Sequence, residues 1–448
     1  MSQDLAALTD QMLALARKAG ADAADALAVD GTSVSIDVRG GALEQAERAE
    51  GIDIGLRVFV GQRQACVSSS DARTDTLAQM AERAVAMARE APEDPHAGLA
   101  DAGDLSPDRD CAPLQLYDPA PEPDPAALQD DATRAEAAAL AIDGVSQVQA
   151  ASAGYTRRTV HLAASNGFSG GYTRTSRGIS CQAISGTGTA MQRDYDYDSR
   201  IFQADLRDAA EIGRTAGERA VAMSGARRPK TGRYPVVFDE RISGSLIGHL
   251  TSAVNGAAIA RGSSWLRSAL GEQVLPKGLS VIEDPRRPRA FASRMFDAEG
   301  LATRPRAIVD NGVLTGWTLD LANGRKLGLP STANATRGTS APPSPGLSNI
   351  ALTQGDKTRE DLLRDMGTGL LVTSMIGSTI NPNTGDYSRG ASGFWVENGE
   401  IAYPVNECTL AGNLRDMLMR IIPANDARPH LTSVVPSLLV EGLTLAGD

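Results

Sequence analysis

A chain of 448 residues is longer than the roughly 250–300 residues at which a single hydrophobic core stops growing, so two or three domains are predicted. Its net charge of −11 argues against nucleic acid as a main partner, because phosphate binding needs a basic surface. No signal peptide, no CxxC pair and no run near the ~20 apolar residues that span a bilayer is evident, so we expect a cytoplasmic protein without a membrane partner.

Residues 1–92 predict an N-terminal α+β domain resembling an α/β sandwich. Apolar residues recur at helical spacing over 5–19 and again over 77–88, which predicts two helices. Alternation of apolar and polar residues over 34–38 and 52–60 predicts two strands, and a third short strand follows them.

A linker and a middle domain are predicted next. Residues 93–126 are rich in Pro, Asp, Ala and Gly without apolar periodicity, which is typical of a linker or surface excursion. Within the middle domain, 127–226, an antiparallel β-meander over 145–199 is predicted between helices over 127–141 and 206–221. Turns are predicted at Gly154, Asn166-Gly167, Gly170-Gly171 and Gly186-Thr187-Gly188.

Residues 227–448 predict a mainly β C-terminal domain. The apolar run 235–238 indicates a buried strand that enters a long helix over 240–258. Glycine, proline and asparagine then punctuate the chain, and short strands are predicted over 306–309, 313–319, 369–374, 393–396 and 400–404. The fold class expected for the whole chain is therefore α+β.

The histidines are too few and too scattered to predict a self-contained zinc site. Only four occur, and the HExxH and HExxxH spacings are absent. His249, Cys408 and a carboxylate such as Glu407 could still meet in space, so His249 and Cys408 remain weak metal candidates. No catalytic residue is predicted, since a GxSxG elbow and a Walker A lysine are absent as well.

The segment 381–413 is the richest in chemistry. It predicts a polar, glycine-rich loop over 381–390 and then a β-hairpin that turns at 397–399, because Asn-Gly suits a type I′ turn. Asp386 and Arg389 are spaced to pair. The candidates for contact with a substrate or partner are Asp386, Tyr387, Arg389, Trp395 and Asn413. Such a segment could bind an extended peptide by β-strand addition, or it could be a well-knit loop or a subunit interface.

These residues carry a resemblance to a known family. The run Thr384–Ile401, which contains Thr-Gly-Asp-Tyr-Ser-Arg-Gly and Phe-Trp-Val-Glu-Asn-Gly, resembles the hallmark segment of the PmbA (TldE) type within the TldD/PmbA family. Shorter matches lie over 191–195, 296–300, 325–328, 366–373 and 411–414. The resemblance spans most of the chain.

The resemblance implies one of two related subunits of a peptidase that degrades short unfolded peptides or trims leader peptides. The TldD type carries HExxxH on a helix and a later cysteine as zinc ligands. Here the equivalent helix, 243–253, places Gly248 and Ala253 at the two histidine positions and His249 at the glutamate position. What is implied is a non-catalytic chain without a cofactor of its own, with zinc in a TldD-like partner.

Three functions stay open at this point. The chain is a partner subunit, in a hetero-oligomer or by self-association, that completes a peptide-binding chamber. Alternatively, it is a metallopeptidase in its own right with an atypical site. A third possibility is a stand-alone peptide-binding module.

Overall fold

The first half of the chain forms one antiparallel sheet that is covered by four helices. The computed structural model describes residues 4–448, apart from the side chain of Ser378. The elements of this half are α1 (Leu5–Ala19), β1 (Ala23–Arg39), β2 (Ala42–Val60), β3 (Arg63–Ser69), α2 (Thr74–Glu90), α3 (Pro125–Leu140), β4 (Val145–Ala164), β5 (Ser169–Ser185), β6 (Gln192–Arg200) and α4 (Ala209–Ala222). The strand order is β3-β2-β1-β4-β5-β6.

The pairing of β1 with β4 joins the two N-terminal regions in this one sheet, from Asp25 opposite Ala164 to Val38 opposite Ala151. Helices α1 and α2 pack on one end of a single sheet face, and α3 and α4 pack on its other end. Residues 1–92 and 127–226 therefore share one hydrogen-bonded sheet. The predicted domain boundaries stay predictions.

The helices predicted in this half are confirmed, but the strands are longer than alternation indicated. The predicted turns at Gly154 and at Gly170-Gly171 are wrong, because these glycines lie inside β4 and β5. At Gly171 a Cβ atom would lie 2.6 Å from the Val160 carbonyl oxygen, so the close approach of two strands explains that glycine. The turns at 166–167 and 186–188 are confirmed.

Residues 93–126, hereafter the strap, lie along the sheet face that carries no helices. Leu114 and Leu116 of the strap are buried there against Leu162 and Phe296. The Arg325 guanidinium binds the other end of the strap, where it donates to the carbonyls of residues 96, 98 and 99. The predicted linker is therefore held against both halves of the chain.

The second half is built around a small barrel. Its elements are β7 (Gly232–Phe238), α5 (Glu240–Ala253), α6 (Gly256–Ala260), β8 (Val281–Glu283), β9 (Arg306–Asp310), β10 (Val313–Leu314), α7 (Leu321–Leu327), β11 (Ala335–Thr336), β12 (Ser344–Pro345), β13 (Ile350–Leu352), α8 (Arg359–Met366), β14 (Gly369–Ile380), β15 (Asp386–Glu397), β16 (Glu400–Asn413), α9 (Leu414–Leu418), β17 (Ile421–Pro423), β18 (Ser433–Val434) and β19 (Leu438–Ala446). The order β16-β15-β14-β7-β19-β17, together with a β16–β19 pairing, closes five strands into a ring.

Helix α5 packs on this barrel through Leu246, Ile247 and Leu250, which are fully buried. The predicted helix over 240–258 is wrong in its length, because α5 ends at Ala253. The Asn255 side chain accepts from the backbone N–H of residue 257 and thereby starts α6 as a new helix. No helix within residues 4–448 combines the length and the apolarity that crossing a membrane requires.

Candidate functional site

A cleft of about 390 Å³ lies between α5, the β14–β15 hairpin and the loop 428–433. Helix α5 contributes Ser245, the hairpin contributes Met375 and Arg389, and the loop contributes Thr432. Tyr197 of β6 closes one side. Both halves of the chain therefore form the walls of the cleft, hereafter the α5 cleft.

Buried ion pairs fix the position of α5. Arg241, in its first turn, lies 2.9 Å from Asp194 of β6 and 3.3 Å from the N-cap residue Asp239. Asp239 also accepts from Arg359 at 3.0 Å. The motif over 191–195 that carries part of the resemblance thus attaches the N-terminal sheet to α5.

A second ion pair holds the loop that forms the far wall. Glu240 of α5 accepts from the Arg428 guanidinium at 2.7 Å. Burial raises the pKa of Glu240, although the charge of Arg428 acts in the opposite direction. Sequence reasoning did not find this pair, because its two members lie 188 residues apart.

His249 lies beside Tyr387, with ring centroids 5.9 Å apart in an edge-to-face arrangement. Its Nε2 atom is buried and has no hydrogen-bond partner among the described residues. Burial lowers the pKa of His249, and the positive charge of Arg389 lowers it further. Burial also raises the pKa of Tyr387 to about 12. Both rings are therefore neutral at neutral pH.

Ser245 lies one turn before His249 on α5, so the two side chains share a face. The Ser245 hydroxyl is also buried without a hydrogen-bond partner among residues 4–448. The two side chains therefore form no hydrogen bond with each other, and His249 does not activate Ser245 as a nucleophile in this arrangement.

The candidate donors His249, Cys408 and Glu407 do not together fit a zinc ion. Cys408 is buried, its thiol donates to the Ala391 carbonyl at 3.2 Å, and burial raises its pKa to about 11. Glu407 pairs instead with Arg228 in an exposed ion pair. The described part of the chain contains no group of three or more His, Cys, Asp or Glu side chains that could hold a metal.

Two further observations oppose a cation in the α5 cleft. The Arg389 charge that depresses the pKa of His249 would also repel a divalent ion. The two positions where the resemblance places zinc ligands do not face a common point, since Gly248 borders open space while Ala253 packs in the core.

The predicted loop over 381–390 is wrong in part, because β15 begins at Asp386. Asp386 does not pair with Arg389; it accepts from Asn413 at 3.1 Å, whereas Arg389 donates to the Gly377 carbonyl at 2.7 Å. Residues three apart on a strand point to opposite faces, which explains the failure of the predicted pair. The predicted hairpin turn is confirmed, with φ of 52° at Asn398 and 81° at Gly399.

The five predicted contact residues do not come together at one place. Arg389 lines the α5 cleft, and Tyr387 lies behind it, 2% exposed. Trp395 lies in the core with its ring 4.9 Å from that of Tyr234. Asn413 caps α9 and binds Asp386. A contact between any of them and a substrate or partner stays a prediction.

The strand β14 has an open edge beside the α5 cleft. Its first residues, Leu370–Val372, pair in parallel with β7, and this pairing stops where the chain leaves β7 for α5. From Ser374 to Ile380 the strand pairs only with β15 within the described structure. Met375 points into the α5 cleft, and Ile376 is 72% exposed on the other side.

Comparison with known proteins places this architecture in a family. Sequence models of PmbA/TldA metallopeptidases match domain 1 to residues 24–88, the central domain to 118–224 and the C-terminal domain to 231–447. Metalloprotease PmbA of Escherichia coli O157:H7 is 34% identical over 95% of this chain and 93% of its own length. The chain belongs to the PmbA/TldD metallopeptidase family.

Further similar proteins extend the comparison. The metalloprotease PmbA homolog of Haemophilus influenzae is 35% identical over 100% of this chain and 97% of its own. A structure from Bacteroides thetaiotaomicron, named as a candidate modulator of DNA gyrase, is 28% identical, covers both chains fully and has a TM-score of 0.92. TldE from Thermococcus kodakarensis, 19% identical, covers 98% of this chain and 100% of its own with a TM-score of 0.86, which shows the shared fold. The predicted α+β fold class and PmbA/TldE-type family are confirmed.

Proposed function

We propose that this chain is the non-catalytic PmbA/TldE-type subunit of a two-subunit peptidase. It completes the peptide-binding chamber, and a TldD-like partner holds the zinc and cuts short unfolded peptides. The observation that carries the proposal is the α5 cleft, where the open edge of β14 lies next to Arg389, close to His249.

The open edge of β14 supports peptide binding. A strand edge presents a row of backbone N–H and C=O groups that an extended peptide can pair with as a further strand. Such pairing recognises the backbone of the peptide more than its side chains, so it suits peptides of varied sequence. Within the described structure no strand other than β15 pairs with Ser374–Ile380, and Met375 gives the adjoining cleft an apolar surface.

The electrostatics support a partner that supplies the metal. Hydrolysis by zinc needs several neutral imidazoles, thiolates or carboxylates at one point. Here the positive charge of Arg389 lies close to His249 and opposes a cation, and the Cys408 thiol stays protonated because burial raises its pKa to about 11.

The first test uses this chain, a TldD-like partner with HExxxH, and their mixture. We expect a complex on size-exclusion chromatography, zinc only in fractions that contain the partner, and chelator-sensitive cleavage of an unstructured peptide only with both chains present. Stoichiometric zinc and cleavage in the isolated chain would instead establish a metallopeptidase in its own right. Tight peptide binding without any complex would favour a stand-alone peptide-binding module.

The second test addresses strand addition directly. Two series of a short unstructured peptide, N-methylated at alternate residues, are added to the complex. Methylation in one series removes the N–H groups that face β14 and should abolish binding, whereas methylation in the other series should have little effect. Hydrogen exchange should also slow at residues 374–380. Equal binding of both series, or unchanged exchange at 374–380, would refute strand addition at this edge.

A further inference from the structure

A second cavity, of about 460 Å³, lies between the helix-free face of the N-terminal sheet and residues 291–298 and 335–337. Its lining includes apolar side chains, among them Val160 and Leu162 of β4 and Phe296. The same lining carries four arginines, Arg158, Arg174, Arg294 and Arg337. This concentration of positive charge is unexpected in a chain with a net charge of −11.

Two of the arginines oppose each other directly. Arg158 of β4 and Arg174 of β5 are partners in the antiparallel register. Like charges in that position destabilise a sheet. Burial lowers the pKa of Arg174, and the charges of Arg294 and Arg158 lower it further. No carboxylate among the described residues forms an ion pair with Arg174; its guanidinium lies 5.2 Å from the centre of the Tyr172 ring and donates to the Ser293 carbonyl at 2.8 Å.

Three guanidinium nitrogens at this cavity have no hydrogen-bond partner within residues 4–448. They are Nε of Arg174, Nε of Arg294 and Nη2 of Arg337, and all three are buried. The Arg337 side chain is only 1% exposed, and its Nη1 pairs with Asp25, whereas its Nη2 has no partner among the described residues. Unpaired buried donors cost free energy, so such a group points to a missing acceptor.

The acidic groups nearby are already occupied. Asp25 is shared between Arg57 and Arg337. Asp297, which also lines the cavity, accepts backbone N–H groups from Glu299, Leu301 and Ala335. Burial raises the pKa of Asp297, which lowers the share of its carboxyl that is charged.

We propose that this cavity is a binding site for a small organic anion. Its oxyanion, a carboxylate or a phosphoryl group, accepts from Arg174, Arg294 and Arg337, and its apolar body lies against Val160 and Phe296. Guanidinium groups match both oxyanions in geometry, and the cavity volume is in the range of small-molecule sites. The site is separate from the open edge of β14 and does not depend on the peptidase proposal.

The test is calorimetric titration of the full chain with N-acetylphenylalanine, phenyl phosphate and the uncharged N-acetylphenylalaninamide. At least one acid should bind and the amide should not. Preference for N-acetylphenylalanine identifies a peptide-like carboxylate as the ligand type, and preference for phenyl phosphate identifies an organic phosphate. Absence of binding by both acids at millimolar concentration overturns the proposal, as does equal binding of the amide.

Variants locate the site. Arg174→Gln should weaken binding of the preferred acid about tenfold or more, because a charge-assisted hydrogen bond is lost. Arg158→Gln, at an exposed residue, should weaken it several-fold without altering the fold. Arg157→Gln removes the same charge from the opposite face of β4 and should leave binding unchanged. Equal affinity in Arg174→Gln, Arg158→Gln and Arg157→Gln would show that the acids bind elsewhere.

Discussion

The crossing of α3 and α4 gives a sharp test of how closely this chain is packed. At Gly213 of α4, an added Cβ atom would lie 1.9 Å from the carbonyl oxygen of Ala135 on α3. Contacts of that kind below 3.0 Å are essentially never seen, so Gly213→Ala must push the helices apart by about 1.1 Å, from 1.9 to 3.0 Å. The carbonyl belongs to a helix and cannot rotate away. The packing of Ala132, Ala216 and their neighbours is lost with the separation.

The magnitude follows from two opposing terms. Overpacking of this kind costs about 1–3 kcal/mol, and we take the upper end because the obstacle is backbone. Replacing glycine by alanine inside a helix recovers about 1 kcal/mol. The expected net effect is therefore a loss of about 2 kcal/mol in the free energy of unfolding.

Gly248 provides the matched control in α5. An added Cβ atom there meets nothing within 4 Å, so only helix propensity acts. Gly248→Ala should raise the free energy of unfolding by ~0.5–1 kcal/mol. Urea unfolding of both variants, followed by far-UV circular dichroism, measures the two effects. If Gly213→Ala were as stable as Gly248→Ala, the close crossing of α3 and α4 would be refuted.

Three further predictions concern charge and the strap. Burial raises the pKa of Glu299 from 4.5 to about 8, so the folded state loses stability as the pH rises from about 4.5 through 8. Glu299→Gln should reduce this loss, which urea unfolding midpoints measured across the same pH range would show. An unchanged dependence of the midpoint on pH would contradict the prediction. Arg325→Ala removes three hydrogen bonds to the strap and should speed its cleavage in limited proteolysis, whereas the adjacent Lys326→Ala should not. Arg389→Met should raise the pKa of His249, measured by NMR titration, because a nearby positive charge is removed. The pKa of His249 should stay below 6.5, since burial still lowers it. An unchanged pKa would mean that Arg389 and His249 are not neighbours.

Much of the fold could be predicted because its signals are local. The apolar positions of α1 and α2 repeat at helical spacing, and Asp4 caps the first helix. The first half of β1 was missed because residues 24–29 are buried on both faces and so do not alternate. The break between α5 and α6 was missed because the apolar pattern continues across Asn255.

Less of the candidate site could be predicted. The hallmark segment pointed to Arg389, and the scarcity of histidine pointed to His249 as an isolated imidazole; both lie at or beside the α5 cleft. Met375 and Arg428 carry no local signal, because a cleft is formed by elements that are distant in sequence. The spacing of Ser245 and His249, one helical turn, was the one signal available for Ser245.

The sequence by itself determined the family, the mixed fold class and which side chains are available as metal ligands. These three properties depend on which residues the chain contains and on their short-range spacing. Only the tertiary structure decided which charges are compensated and which strand edge is open. Arg158 and Arg174 oppose each other because β4 and β5 adopt one register, and Arg294 and Arg337 join them from more than a hundred residues away. Electrostatic energy depends on distances in space, and those are set only when the two halves of the chain pack together.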